Sequence, residues 1–217
     1  MTEAQSMLQL RKSRTIGKSK RMSSETPETE QLKWWQTLWR DQGENIRMLV
    51  IALGLALIIR TFIAEPRFIP SDSMVPTLQV GDRLVIEKVS YRFHSPQTGD
   101  IIVFEPPPQL QQFGYGKEQA FIKRVIALPQ QIVMVHNGQV FVDNQALTEP
   151  YIFAPPGYEF GPYQVPEGQL FVMGDNRNNS NDSHIWGFLP QSNVIGRTLL
   201  RFWPLNRLTV NFGGLIT

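Results

Sequence analysis

One apolar run dominates the pattern of the chain. From Met48 to Ile59 no side chain is polar, Arg60 follows, and Thr61, Phe62, Ile63 and Ala64 complete 17 residues. As a helix this run is about 25 Å long, at the short end for a bilayer span. A helix docked on a soluble core keeps a polar face, and this run has none. Arg60 lies near one end, where its head can snorkel to the surface. The pattern therefore predicts a transmembrane helix over residues 48–64. Residues 32–47 place Leu32, Trp34, Trp35, Leu38 and Trp39 among Lys33, Arg40 and Arg47, the mixture that suits a membrane–water interface.

Residues 1–31 are polar. Arg11-Lys12-Ser13-Arg14 and Lys18-Ser19-Lys20-Arg21 are basic, and residues 23–30 are acidic and low in complexity. This stretch reads as a disordered tail. A cleaved signal peptide would carry its apolar region much nearer the start. Basic residues precede the span and Glu65-Pro66 follow it, so the positive-inside bias puts the tail in the cytoplasm and residues 65–217 outside.

Beyond the span the pattern changes to short β-branched runs between turn residues. Strands are predicted at Arg83–Val89, Ile101–Phe104, Ala120–Leu128, Gly168–Met173 and Val194–Trp203. Gln131–Val135 and Gln139–Val142 form a hairpin around Asn137-Gly138, because Asn-Gly supplies positive φ cheaply. Glu105–Gly116, with three consecutive prolines, reads as a loop, and Asp143–Glu167 as irregular structure. No βαβ alternation and no internal repeat is present, which argues against a parallel α/β sheet.

Composition narrows the chemistry. The chain has 217 residues, 16 Pro, 16 Gly, no Cys and a net charge of +2. Without cysteine there is no disulfide, thiolate metal site or cysteine nucleophile. Three histidines without ligand spacing make no metal site. The basic runs lack aromatic interleaving, so no nucleic-acid partner is expected.

Three places carry candidate chemistry. The first is Pro70-Ser71-Asp72-Ser73-Met74-Val75-Pro76-Thr77-Leu78, just outside the span. A serine held between prolines is either a presented nucleophile or a stiff turn. The second is Phe121-Ile122-Lys123-Arg124-Val125-Ile126. Alternation puts Lys123 on the face of Phe121 and Val125, with Arg124 on the opposite face. Such a lysine is either at the rim or desolvated, and desolvation lowers its pKa until it can take a proton from a hydroxyl. The third is the loop Gly174–Ser183, dense in Asn, Asp and Ser. It either satisfies its own backbone or supports a site. The residues around Ser73 form neither Gly-x-Ser-x-Gly nor Ser-x-x-Lys, and His94, His136 and His184 lack a triad context. Ser-Lys is the pairing best supported.

Four segments taken together resemble the bacterial type I signal peptidases and their plastid relatives: residues 70–78, Gly99–Phe104, Phe121–Ile126 and Gly174–Ser180. They occur in the family's order, after a membrane anchor. The resemblance covers about residues 46–204. It implies a coiled, antiparallel all-β catalytic domain, with its core at 65–128 and 168–204 and a small β insertion at about 129–167. It implies Ser73 as nucleophile and Lys123 as general base. Ser71 and the Ser73 backbone N–H would hold the oxyanion, and Ser180 would orient the lysine. Asp175, Arg124 and Asp182 would brace the site. No cofactor or metal is implied. The implied substrates are signal-peptide-bearing preproteins, cut after a small residue with another small residue two positions earlier. Ile69, Met74, Phe121 and Ile122 are then expected to line shallow subsites, the substrate adding as a strand. The bilayer and the secretion translocon are the other implied partners.

The chain departs from the family pattern at three places. Ala127-Leu128-Pro129-Gln130-Gln131 replaces a frequent Gly-x-Pro-Gly-Asp, Asn178 stands where Asp is frequent, and His184 stands where Arg often pairs with the preceding Asp. Two other readings are less well supported, given the intact Ser73 and Lys123 and the apolar run. One is a catalytically inactive anchored homologue that binds preproteins. The other is a self-cleaving repressor domain, which would need an N-terminal helix-turn-helix and no span.

Overall fold

The computed structural model describes residues 27–210, with side chains from Gly43 onward. Residues 1–26 of the expected tail lie outside the described residues. Helix α1, Pro27–Ile58, continues as a π-helical turn over Ile59–Ile63. It runs without a break from within the stretch read as tail, through the stretch read as interfacial, into the apolar run. The segment Gly43–Ile63, 21 residues of mean hydropathy 2.2, is long and apolar enough to cross a membrane. At 1.5 Å per residue it measures about 30 Å.

The rest is a curled antiparallel β structure. Strands β1 (Ala64–Phe68), β2 (Arg83–Glu87), β3 (Ile101–Phe104), β4 (Phe121–Ala127), β9 (Gln169–Met173), β10 (Leu189–Pro190) and β11 (Val194–Trp203) form one sheet in the order β1-β2-β11-β3-β4-β9-β10, with β12 (Thr209–Val210) paired to β11. A second sheet, β7-β6-β5-β8, uses β5 (Ile132–His136), β6 (Gln139–Val142), β7 (Gln145–Ala146) and β8 (Phe160–Gln164).

Burial follows the side-chain pattern. All four residues of β3 are buried, as a continuous apolar run requires. Ile101 and Val103 join Ile69, Met74, Leu78, Leu84 and Ile86, while Ile102 and Phe104 join Val125, Leu170, Val172 and Trp186 on the other face. A third cluster packs Val133, Val135, Val140 and Val142 of the small sheet against Ile126, Phe171 and Met173. The small sheet is thereby fixed to one end of the large one.

Two expectations change, and one further strand appears. Glu105–Gly116 is not all loop: Pro108–Gln112 forms helix α2, with proline in its first turn, where the missing N–H costs nothing. Asp143–Glu167 contains β7 and β8, and the chain after the span forms β1. β1 and β8 are end strands of their sheets, where Pro66 and Pro162 are tolerated and no apolar alternation is needed. The Asn137-Gly138 turn does join β5 to β6, with φ of 49° and 75°. The turn after β4 keeps its reversal without the family's glycine, because Gln130 itself adopts φ 70°.

Candidate active site

The site begins at the end of β1. Ile69 continues past the strand, its N–H donating to Asp82 O at 2.9 Å and its carbonyl accepting from Gly81 at 3.0 Å. The chain then tightens into a single 3-10 turn, Asp72–Met74, with Ser71 extended before it. Met74 and Leu78 are buried and anchor the turn from below. The loop after β9 anchors it from behind: Asn176 N–H donates to Ser73 O at 3.1 Å, and its side-chain amide donates to Asp72 O at 3.1 Å.

Lys123 reaches the same point from the middle of β4. Its Nζ donates to Ser73 Oγ at 2.7 Å, across 50 positions of sequence. Lys123 is only 3 % exposed and Ser73 9 %. Burial pushes the amine from its usual 10.5 down to about 8, and the carboxylates of Asp182 and Asp175 offset part of that fall. A lysine at about 8 is neutral in roughly one molecule in ten at pH 7, against fewer than about one in a thousand at the ordinary value. Ser71 Oγ lies 3.4 Å from Ser73 Oγ and is exposed on the cleft side.

Arg124, on the opposite face of β4, braces the loop. It donates to both oxygens of Asp175 at 2.8 and 2.7 Å and to Gly99 O at 3.0 Å, with its guanidinium 3.9 Å from the Tyr151 ring. Thr77 donates to the same carboxylate, joining the serine turn to this pair. Asp182 accepts from Gly174 N–H at 2.8 Å and pairs with His184 Nδ1 at 2.7 Å. His184 thus makes a contact with Asp182 of the kind its usual arginine counterpart makes. Asn178 accepts from Gly157 N–H at 2.7 Å and donates to Pro155 O at 2.9 Å. An aspartate could only accept.

Two expected roles do not match the geometry. Ser180 makes no bond to Lys123: its Oγ is buried without a hydrogen-bond partner among the described residues. Met74 is fully buried in the core and takes no part in the cleft wall. Ile69, Phe121 and Ile122 do line the cleft, of about 770 Å³, together with Ser71, Ser73 and Tyr115. Tyr115 enters from the segment after α2 and packs edge-on against Phe121 at 5.2 Å. No pattern in the sequence marks it. Gly174 was also missed as a site residue. A Cβ there would lie 2.3 Å from both Ser180 Oγ and Ser73 O, so the backbone just after β9 approaches the serine turn only because this residue has no side chain. Glu149 and Arg177 form a further buried pair holding the loop; Arg177 lies in the Gly174–Ser180 segment without an assigned role, and nothing in the sequence marks Glu149. Among the described residues no group of three His, Asp or Glu side chains is placed to hold a metal ion.

The family model "Signal peptidase, peptidase S26" matches residues 42–203. The chain belongs to this family. It is 64 % identical over 169 residues to "Probable signal peptidase I-1" of Synechocystis, which covers 78 % of this chain and 86 % of that protein. It is 54 % identical over 165 residues to "Signal peptidase I" of Leptolyngbya laminosa, covering 76 % and 81 %. It is 43 % identical over 176 residues to "Probable thylakoidal processing peptidase 2, chloroplastic" of Arabidopsis thaliana, covering 81 % of this chain and 48 % of that protein. The chain is therefore a type I signal peptidase of the bacterial and plastid kind, built as a curled antiparallel β domain with, among the described residues, one membrane-length apolar helix.

Proposed function

We propose that this peptidase is a membrane-anchored serine endopeptidase. It removes signal peptides from secreted preproteins after small residues, with Ser73 and Lys123 acting as a unit. The observation that carries the reading is the 2.7 Å contact between a buried Lys123 Nζ and Ser73 Oγ. In the neutral form Lys123 accepts the Ser73 proton while Oγ bonds to the scissile carbonyl carbon. The oxygen becomes an oxyanion, held by Ser71 Oγ and the Ser73 N–H. As the peptide C–N bond breaks, the lysine ammonium gives its proton to the leaving amine. Water, deprotonated by the neutral Lys123 amine, then attacks the acyl carbon, and as the ester C–O bond breaks the lysine ammonium returns the proton to Ser73 Oγ and the signal peptide is released. The preprotein lies as a strand beside residues 68–71 and 120–123. Ile69, Phe121 and Ile122 form a shallow wall that admits small side chains.

The basic tail orients the helix with the N-terminus in the cytoplasm and residues 65–217 outside, beside the bilayer and the translocon. Within that outer part, 129–167 is the inserted appendage and the remainder the catalytic core. The test uses the full-length protein in detergent with a preprotein, followed by sequencing of the new N-terminus. Ser73→Ala and Lys123→Ala each abolish cleavage, and the double variant is no worse than either. Lys123→Arg is also inactive, because a guanidinium stays protonated. A folded Lys123→Arg protein of near-normal activity overturns the pairing.

A further inference from the structure

This inference rests on the reading of Lys123 as the base. Two carboxylates act on its buried amine, Asp182 and Asp175. They differ in how they are compensated. Asp175 is held by both arms of the Arg124 guanidinium, a permanent cation. Asp182 is fully buried. Its Oδ2 accepts from Gly174 N–H at 2.8 Å, and its Oδ1 accepts from His184 N–H at 3.2 Å and faces His184 Nδ1 at 2.7 Å. Among the described residues, the His184 imidazole is the one group bonded to Asp182 that can carry a positive charge.

The imidazole is held in place. It stacks on Tyr158 with centroids 4.1 Å apart and planes 11° apart, and its side chain is 16 % exposed. The other charged groups at this corner are already committed. Arg177 donates to both oxygens of Glu149, and burial, then Asp182, raises the Tyr158 hydroxyl so that it stays neutral. The side chain at position 184 therefore sets how far the buried Asp182 carboxylate is compensated. A negative Asp182 favours the ammonium form of Lys123, whereas a compensated one favours the amine.

We infer that His184 is a positioning residue for the base: acting through Asp182, it sets the pH at which Lys123 can take the Ser73 proton. The link runs through the loop after β9, because the Gly174 N–H bound by Asp182 belongs to the residue packed against Ser73 O.

Two substitutions of fixed charge test this without reference to the protonation of His184 itself. His184→Arg supplies a permanent cation, and His184→Gln a neutral group that still donates. The full-length protein in detergent is assayed with a preprotein substrate, and kcat/KM is followed across the acid limb. The His184→Arg limb is expected at lower pH than the His184→Gln limb, by about half to one pH unit. A merely structural role would lower the Tm, or scale kcat equally at every pH, and leave the limb in place. Limbs of the two variants that coincide within about 0.2 pH unit overturn the inference and leave the Ser73–Lys123 pairing intact. A wild-type protein with no acid limb overturns the pairing, and this inference with it. If either variant fails to fold, His184→Lys and His184→Asn make the same comparison.

Discussion

Replacing Lys123 with methionine should make the protein more stable while abolishing its activity. Methionine keeps an unbranched stem and removes the amine. Burial holds the folded-state pKa of Lys123 at about 8, against 10.5 ordinarily, with Asp182 and Asp175 working the other way. The unfolded chain therefore binds this proton more tightly. Between about 8 and 10.5 it holds more protons than the folded chain, so stability rises with pH across that window. Below it the full penalty applies, about 3 kcal/mol at pH 7, and by pH 10 it falls below about 1 kcal/mol. Methionine also loses the 2.7 Å bond to Ser73. A hydrogen bond of that kind is worth about 1 kcal/mol net. The expected gain is then about 2 kcal/mol at pH 7 and about none at pH 10, or about 4–8 °C in Tm at pH 7. The assay is reversible urea or thermal unfolding of the full-length protein in detergent, followed by tryptophan fluorescence at both pH values. A Lys123→Met protein less stable than wild type at pH 7, or equally stabilised at pH 7 and pH 10, refutes the claim that the lysine is held against its own solvation.

Ser71→Ala should lower kcat by about 10²–10³ with little change in KM, the cost of one oxyanion donor, while Ser71→Thr keeps more activity; equal activity of Ser71→Ala and wild type removes the role. Gly174→Ala puts a methyl 2.3 Å from Ser73 O, so the serine turn must move. A displacement of about 1 Å costs about 10² in kcat, and a variant with wild-type turnover would show that the loop yields without disturbing Ser73. Protease added outside sealed spheroplasts should digest or release the chain beyond about residue 65 and spare the tail; protection of the C-terminal part reverses the orientation.

What the sequence determined by itself was local. The apolar run is legible as a membrane-length helix because length and apolarity are properties of one continuous segment. β3 and the β5–β6 hairpin are legible because they depend on neighbours two to four residues apart. The opposite facing of Lys123 and Arg124 follows from strand alternation alone, whereas the pairing of Arg124 with Asp175 was implied by the family resemblance. The residues of the site were legible only through motifs taken together, since each motif alone has an ordinary structural explanation.

Only the tertiary structure decided what depends on segments far apart in the chain. The end strands β1 and β8 are specified by the strands they pair with, and their Pro-containing sequences carry little pattern of their own. Met74 faces the core and not the cleft because Leu78, Leu84 and Ile86 close over it. Ser180 packs its hydroxyl against Gly174 and makes no hydrogen bond among the described residues, the one expected with Lys123 included. Lys123 itself is the clearest case. Its place on a strand face is local, but its proton affinity is a sum over the solvent excluded by Ser73 and its turn and over the charges of Asp175 and Asp182. Those groups arrive from 50 and more residues away, and only folding brings them to the amine.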